Sequence, residues 1–241
     1  MTTDDPSGLE RLELADWRRR VSDLYASVRA ESEDDPEAAW EVWREEREKL
    51  FRTHSQSPVP AADRRAFRAR NWAYDPRLRF EVVLEPGEAP APIQPATAAG
   101  DAAAFGGFGG FGGFGGFGGL TLALPISTGG EESFTRIGRL SIPFPGGERT
   151  LGAYWMADYA GGLFVPFRDA TNGTETYGAG RYLLDTAKSA DLGAGSKPNS
   201  VVLDFNFAFH PSCAFDPKWS CPLAPPENRL DIRIEAGERL T

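Results

Sequence analysis

Lysine is scarce in this chain of 241 residues: it occurs only at positions 49, 188, 197 and 218, so nearly all positive charge rests on arginine. Acidic residues outnumber basic ones, giving a net charge of -9 and an isoelectric point near 4.9. A general nucleic-acid role is excluded on that balance, because neutralising phosphates needs a basic surface. The lysine-poor, moderately acidic composition fits the codon usage of a GC-rich genome or a salt-adapted host. Only two cysteines and two histidines are present. A disulfide framework is thereby excluded, and the thiols are expected to be reduced. No apolar run approaches the ~20 residues that a membrane helix needs. The opening residues, MTTDDPSGLE, lack the basic start and apolar stretch of a secretory signal, so a cytoplasmic location is expected.

What is present divides by period. The first 70 residues read as a helical segment, and 71–241 as a β domain. Ser7 followed by Glu10 is a capping-box pattern, and Trp17, Val21, Leu24 and Val28 then form one apolar stripe. Asp35 with Pro36 starts a second helix, whose buried face is supplied by Trp40, Trp43, Leu50 and Phe51. The charges from Arg44 to Lys49 read as its solvated face, and His54 as a cap at its end. A short helix is expected through Ala66 and Phe67. Five tandem Phe-Gly-Gly units run from Phe105 to Gly119. Ordering glycine costs the most entropy, so 99–119 reads as a low-complexity insertion without a fixed fold.

From Leu78 onward, on both sides of the insertion, the pattern is β. RFEVVLE, LTLALPI, RIGRLSIPF, RTLGAYWMA, LFVPF, TYGAGRYLL, VVLDFNFAF and NRLDIRIE make about eight short strands. Pro145-Gly146-Gly147 is a hairpin signal. The expected fold is mainly β, α+β overall: an antiparallel barrel or sandwich with the N-terminal helices packed on it.

Chemistry concentrates between Leu163 and Arg229. If VVLDFNFAF is a strand, Asp204 and Asn206 share one face, about 7 Å apart. They have room for a ligand or for Arg181, although alternation equally marks an exposed polar face. Tyr177 and Arg181 share a face of TYGAGRYLL, where Gly178 and Gly180 suggest a bulge or a close approach. Arg168, Asp169 and the Thr171–Thr174 segment read as a turn. GTETYGAG is no phosphate loop, which removes nucleotide binding. His210, Cys213 and Cys221 offer three corners of a zinc tetrahedron at a non-standard spacing; a Cys213–Cys221 disulfide, a redox pair and inert buried thiols are the other readings. After Pro225-Pro226, Glu227 is a candidate general base or a salt-bridge partner, beside Asn228 and Arg229.

The blocks WREEREKLFRTHSQSP, LFVPFRDATNGTETYGAGRYL, VLDFNFAFHPSCAF and CPLAPPENRL with the trailing EAGE resemble the prokaryotic domain-of-unknown-function family 1684. The resemblance covers roughly residues 36–85 and 120–238. It implies no established activity, substrate or cofactor. Asp169, Thr171, Thr176, Tyr177, Arg181, Asp204, Asn206, Cys213, Cys221, Glu227 and Asn228 are family-like positions. Phe209-His210-Pro211 stands where the resemblance implies Tyr-Asn-Pro, which weakens a histidine ligand for zinc. The Phe-Gly-Gly run stands where a shorter loop is implied.

Two functional expectations follow. One is a pocket for a small polar or anionic ligand. Arg168, Asp169, Thr176, Tyr177, Arg181, Asn206, Asn228 and Arg229 would line it, with Asp204 and Glu227 as the acid–base pair. The other is a non-catalytic module whose polar residues bond one another.

Overall fold

The structure is a computed structural model that describes residues 7–87, 120–129, 131–156 and 161–240. The Phe-Gly-Gly segment lies outside the described residues.

Helix α1 (Gly8–Glu31) begins where the Ser7 hydroxyl accepts the Glu10 amide and the Glu10 carboxylate accepts the Ser7 amide. Helix α2 (Pro36–Thr53) begins at Asp35, whose carboxylate takes the Glu37 and Ala38 amides. Both starts follow from side chains satisfying amides that have no intrahelical partner. The expected apolar stripes face inward. Trp17 is the half-buried end of one, while Val28, Trp43 and Phe51 are buried. Residues 61–66 form turns instead of the expected short helix.

The strands are β1 (Arg70–Asn71), β2 (Arg79–Pro86), β3 (Leu120–Pro125), β4 (Glu131–Phe144), β5 (Gly147–Met156), β6 (Gly162–Phe167), β7 (Arg181–Asp185), β8 (Ser200–Asp204) and β9 (Glu238–Arg239). Seven form one antiparallel sheet in the order β7-β6-β5-β4-β2-β8, with β3 also on β4. β2 turns the corner: its first half pairs with β8 and its last three residues with β4. β4 and β5 meet at the hairpin of Pro145 and Gly146, since Phe144 pairs with Gly147. The sheet curls into a half-barrel. Phe209, just past β8, returns to exchange both backbone bonds with Tyr182 at the β7 edge.

Two packing clusters result. One places α1 and α2 on the sheet through Trp40, Trp43, Phe51, Phe134, Tyr154 and Phe164. The other fills the concave side with Leu140, Leu151, Val165, Phe167 and Phe205, roofed by Leu230 and Ile234 of the C-terminal segment. Covered on both sides, β6 is almost continuously buried.

Three expected strands are corrected. VVLDFNFAF is a strand only to Asp204, because the Asp204 carboxylate caps the Asn206 amide and starts a 3-10 turn over Phe205–Phe207. TYGAGRYLL is a strand only from Arg181. Gly180 has φ 107°, and a Cβ there would meet the Phe167 carbonyl oxygen at 2.5 Å. NRLDIRIE opens with a 3-10 turn and is otherwise irregular, and it spends key backbone groups on side chains: Ile234 donates to Asp169 and accepts from Arg181.

Candidate functional site

The polar residues of 163–229 fall into three bonded groups and one cleft. In the first group Arg181 sits at the start of β7 with no exposed surface. Its guanidinium donates to the carbonyls of Ile234 at 2.9 Å, Glu238 at 3.2 Å and Ala236, and reaches Asp169 Oδ1 at 3.4 Å. Trp72 and Phe167 lie over its faces. Burial pushes it down to about 10, still charged at neutral pH, with Asp169 opposing that shift. Its carboxylate partner is therefore Asp169 and not the expected Asp204. Asp169 also accepts the Thr171 hydroxyl at 2.9 Å and the Ile234 amide at 2.7 Å. Thr176 bonds Thr171 at 3.0 Å, and Asn172 closes the turn onto Thr176 and the Tyr177 carbonyl. Arg168 donates to the Ala179 carbonyl, while Arg229 is exposed.

The second group centres on Asp204, also without exposed surface. It accepts from Asn206 Nδ2 at 2.7 Å, the Asn206 amide at 2.9 Å, Tyr74 at 3.2 Å and Arg79 at 3.3 Å. Burial raises its carboxyl above the usual range, against these donors. Asn206 in turn bonds both backbone groups of Asp75, and its carbonyl takes the Trp40 indole.

The third group joins β5 and β6. Asn228 accepts the Gly152 amide at 2.7 Å and donates to the carbonyls of Gly152 and Pro166 at 3.0 and 2.6 Å. Glu227 takes the Tyr154 hydroxyl and pairs with Arg136 at 3.0 Å. Burial and Glu227 together push the Tyr154 phenol well up. Of the two acid–base candidates only Glu227 reaches solvent, at 39% exposure. Arg181, Asp204 and Glu227 thus sit in different groups.

The cleft opens where α1 and α2 leave the mouth of the half-barrel, with a volume of about 220 Å³. Trp17, Tyr25 and Phe51 form the helix side, and Tyr182, Phe209 and Trp219 the sheet side. Three cations, Arg18, Arg47 and Lys188, line it, and no carboxylate does. Arg47 pairs with buried Glu238 at 2.6 Å and Lys188 with Asp185 at 2.9 Å; Arg18, exposed on α1, has no ion pair among the described residues. His210, Ser212, Ser220 and Cys221 add polar atoms to the wall.

His210 is buried. Its Nε2 accepts the Tyr177 amide at 3.2 Å, and its own amide donates to Glu238 at 2.7 Å. Burial pushes its imidazole down to about 4, against the pull of Glu238. The described residues hold no group of three or more His, Cys, Asp or Glu side chains placed for a metal ion. His210, Cys213 and Cys221 are not gathered into such a group, and His210 Nε2 accepts the Tyr177 amide instead.

Sequence reasoning missed Arg47, assigned to a solvated face, and Glu238. Arg47 is only 15% exposed and stacks over Phe51 and Phe209. Glu238 stands in the EAGE block, which was a usable signal.

The family described as a protein of unknown function, DUF1684, matches residues 118–239. No curated protein matches the chain. Among solved structures, the chain is similar to an uncharacterised protein of Haloarcula marismortui determined by solution NMR. The two are 29% identical over 87% of this chain and 97% of that chain, with a TM-score of 0.55. Among the described residues no helix is long and apolar enough to cross a membrane.

Proposed function

The chain belongs to the DUF1684 family, and from the lining of its cleft we propose that it binds a small molecule with an apolar or aromatic body and one anionic group. The observation that carries this reading is the charge of the cleft wall: among the described residues it bears three cations and no carboxylate, and Arg18 has no ion pair, in a protein of net charge -9. The aromatic side chains supply the apolar contact, and Arg18 at the rim supplies the charge that no ion pair takes up among the described residues. A volume of about 220 Å³ lies below the range of drug-sized ligands, so the occupant is a small metabolite. The acidic surface elsewhere disfavours nucleic acid, and the site suits a cytoplasmic protein.

Arg181, Asp204, Asn206 and Asn228 act in this reading as scaffold, because their polar atoms are spent within the fold. That disposition supports binding without chemistry at Asp204.

Thermal unfolding in the presence of phenylacetate, octanoate and phenyl phosphate, each beside its neutral amide or alcohol, tests the proposal. The anions are expected to stabilise the protein, by about 2.7 kcal/mol at a hundred times the dissociation constant. The substitution Arg18→Gln abolishes the shift while leaving the unliganded protein within about 0.5 kcal/mol, since this side chain is exposed and has no ion pair among the described residues. Equal stabilisation by the neutral analogues, or none by any anion, rejects it.

A further inference from the structure

Cys213 and Cys221 are both free and buried, and they touch. The Cys213 amide donates to the Cys221 sulfur at 3.3 Å, which seats one cysteine directly against the other. Each is held from its own side of the contact. Cys213 sits in the 3-10 turn Ser212–Ala214. Cys221 is pinned to Ser127, whose hydroxyl accepts the Cys221 amide at 3.0 Å and whose amide donates to the Cys221 carbonyl at 3.0 Å.

The side chains of Cys221, Ser127 and Tyr177 neighbour the Cys213 sulfur and favour its thiolate. Donors aimed at a sulfur favour its thiolate. These neighbours, Cys221 first, outweigh burial and hold Cys213 down at about 6. Cys221 is pushed up by the same contact and by burial. One proton thus rests on Cys221 and faces a Cys213 thiolate. An inert buried pair would need none of these donors, and no metal-holding group surrounds the sulfurs among the described residues.

We propose that Cys213 and Cys221 form a reversible dithiol–disulfide couple, in which Cys213 reacts with a hydroperoxide and Cys221 resolves the product. The Cys213 thiolate attacks the terminal peroxide oxygen. The O–O bond breaks, and the departing alkoxide takes a proton from solvent, leaving a sulfenic acid on Cys213. The Cys221 sulfur then attacks the Cys213 sulfur while its thiol proton goes to the leaving hydroxide. The S–O bond breaks, water departs and the S–S bond forms. The two sulfurs lose two electrons and the peroxide gains them. A small dithiol reverses the bond by exchange. Closure to an S–S bond of about 2.05 Å needs only a local movement, because the Cys221 sulfur already lies against the Cys213 backbone. Cys221, Ser220 and Trp219 stand on the cleft wall, so the closed loop reshapes that wall.

The test uses the full folded chain at pH 7 with hydrogen peroxide, followed by alkylation of remaining thiols and peptide mass mapping. It needs no cleft ligand, so its outcome is separate from that of the binding proposal. A Cys213–Cys221 cross-link that dithiothreitol removes is expected. It forms about two- to threefold faster than in the urea-unfolded chain, which is the gain in thiolate fraction less the loss in nucleophilicity. Cys221→Ser should accumulate a dimedone-reactive sulfenic acid at Cys213. A folded wild-type chain that yields no cross-link, or that reacts no faster than the unfolded chain, overturns the couple. Dimedone on Cys221 in the Cys213→Ser variant, with none on Cys213 in Cys221→Ser, overturns the assignment of roles.

Discussion

Arg47 Nε lies 2.6 Å from Glu238 Oε1, and the pair fastens the second helix to the last strand behind the cleft. Both side chains are nearly buried, at 15% and 5% exposure. Burial alone would raise the Glu238 carboxyl; Arg47 and the His210 amide outweigh it and hold it below the usual range. Removing one partner of such a pair strands the other charge. Glu238→Ala is expected to cost about 3–5 kcal/mol in urea unfolding. Replacing both, as Arg47→Met with Glu238→Leu, should cost clearly less than the sum of the single changes. An additive double variant would mean that the charges act independently.

His210 gives the fold a pH dependence of defined sign. Its imidazole is held at about 4 by burial, while the unfolded chain titrates near 6.5. The unfolded state therefore binds more protons between these values, and stability rises with pH there. Full stability is present above about 6.5 and is lost as pH falls toward 4, by about 3 kcal/mol from this group. Glu238, Arg47 and Arg181 face the ring and set the same balance. His210→Asn should flatten the profile between pH 6.5 and 4 relative to the wild type, measured by denaturant midpoints.

Local signals in the sequence translated directly into structure. The Ser7–Glu10 box, the Asp35 cap and the Pro145-Gly146 hairpin each depend on residues within four positions, so the sequence carries all the physics they need. The antiparallel β class and the docked helices were legible from period alone. The site was less so. Arg47 read as surface because its partner is 191 residues away. The Phe205 and Phe207 alternation imitated a strand, while the Asp204 carboxylate had already turned the backbone. Periodicity records which faces are buried and carries no trace of a side chain that claims a backbone amide. The polar character of 163–229 was visible, but its division into separate bonded groups depends on which carbonyl each side chain meets.

Gly152 shows how tightly the third group is packed. A Cβ there would meet the Tyr154 hydroxyl oxygen at 2.6 Å and Asn228 Oδ1 at 3.1 Å. Gly152→Ala should therefore destabilise by about 1–3 kcal/mol, the usual cost of overfilling a close-packed site. Tyr154→Phe removes the nearest atom and should recover part of that loss in the double variant. Differential scanning calorimetry of the four proteins completes the cycle. No recovery would mean that the clash with Asn228 dominates.

Asn228 tests the scaffold role most directly. Its Nδ2 donates to two carbonyls, of Gly152 and Pro166, while Oδ1 accepts the Gly152 amide, all without exposure. Asn228→Asp keeps the shape and replaces the donor by an oxygen that faces both carbonyls. At pH 7 a buried, unpaired carboxylate results, and a loss of about 3–5 kcal/mol is expected. The new carboxyl has a folded-state pKa above its unfolded value, so the loss grows as pH rises through that folded value and shrinks below it, where the protonated acid donates again. Asn228→Ala loses the same bonds without a titrating group, and its deficit should not change with pH. Urea midpoints of both variants at pH 7 and pH 5, each against the wild type, separate the two. Parallel deficits at both pH values would show that the aspartate escapes to solvent, and that the β5–β6 seam is looser than its three bonds imply.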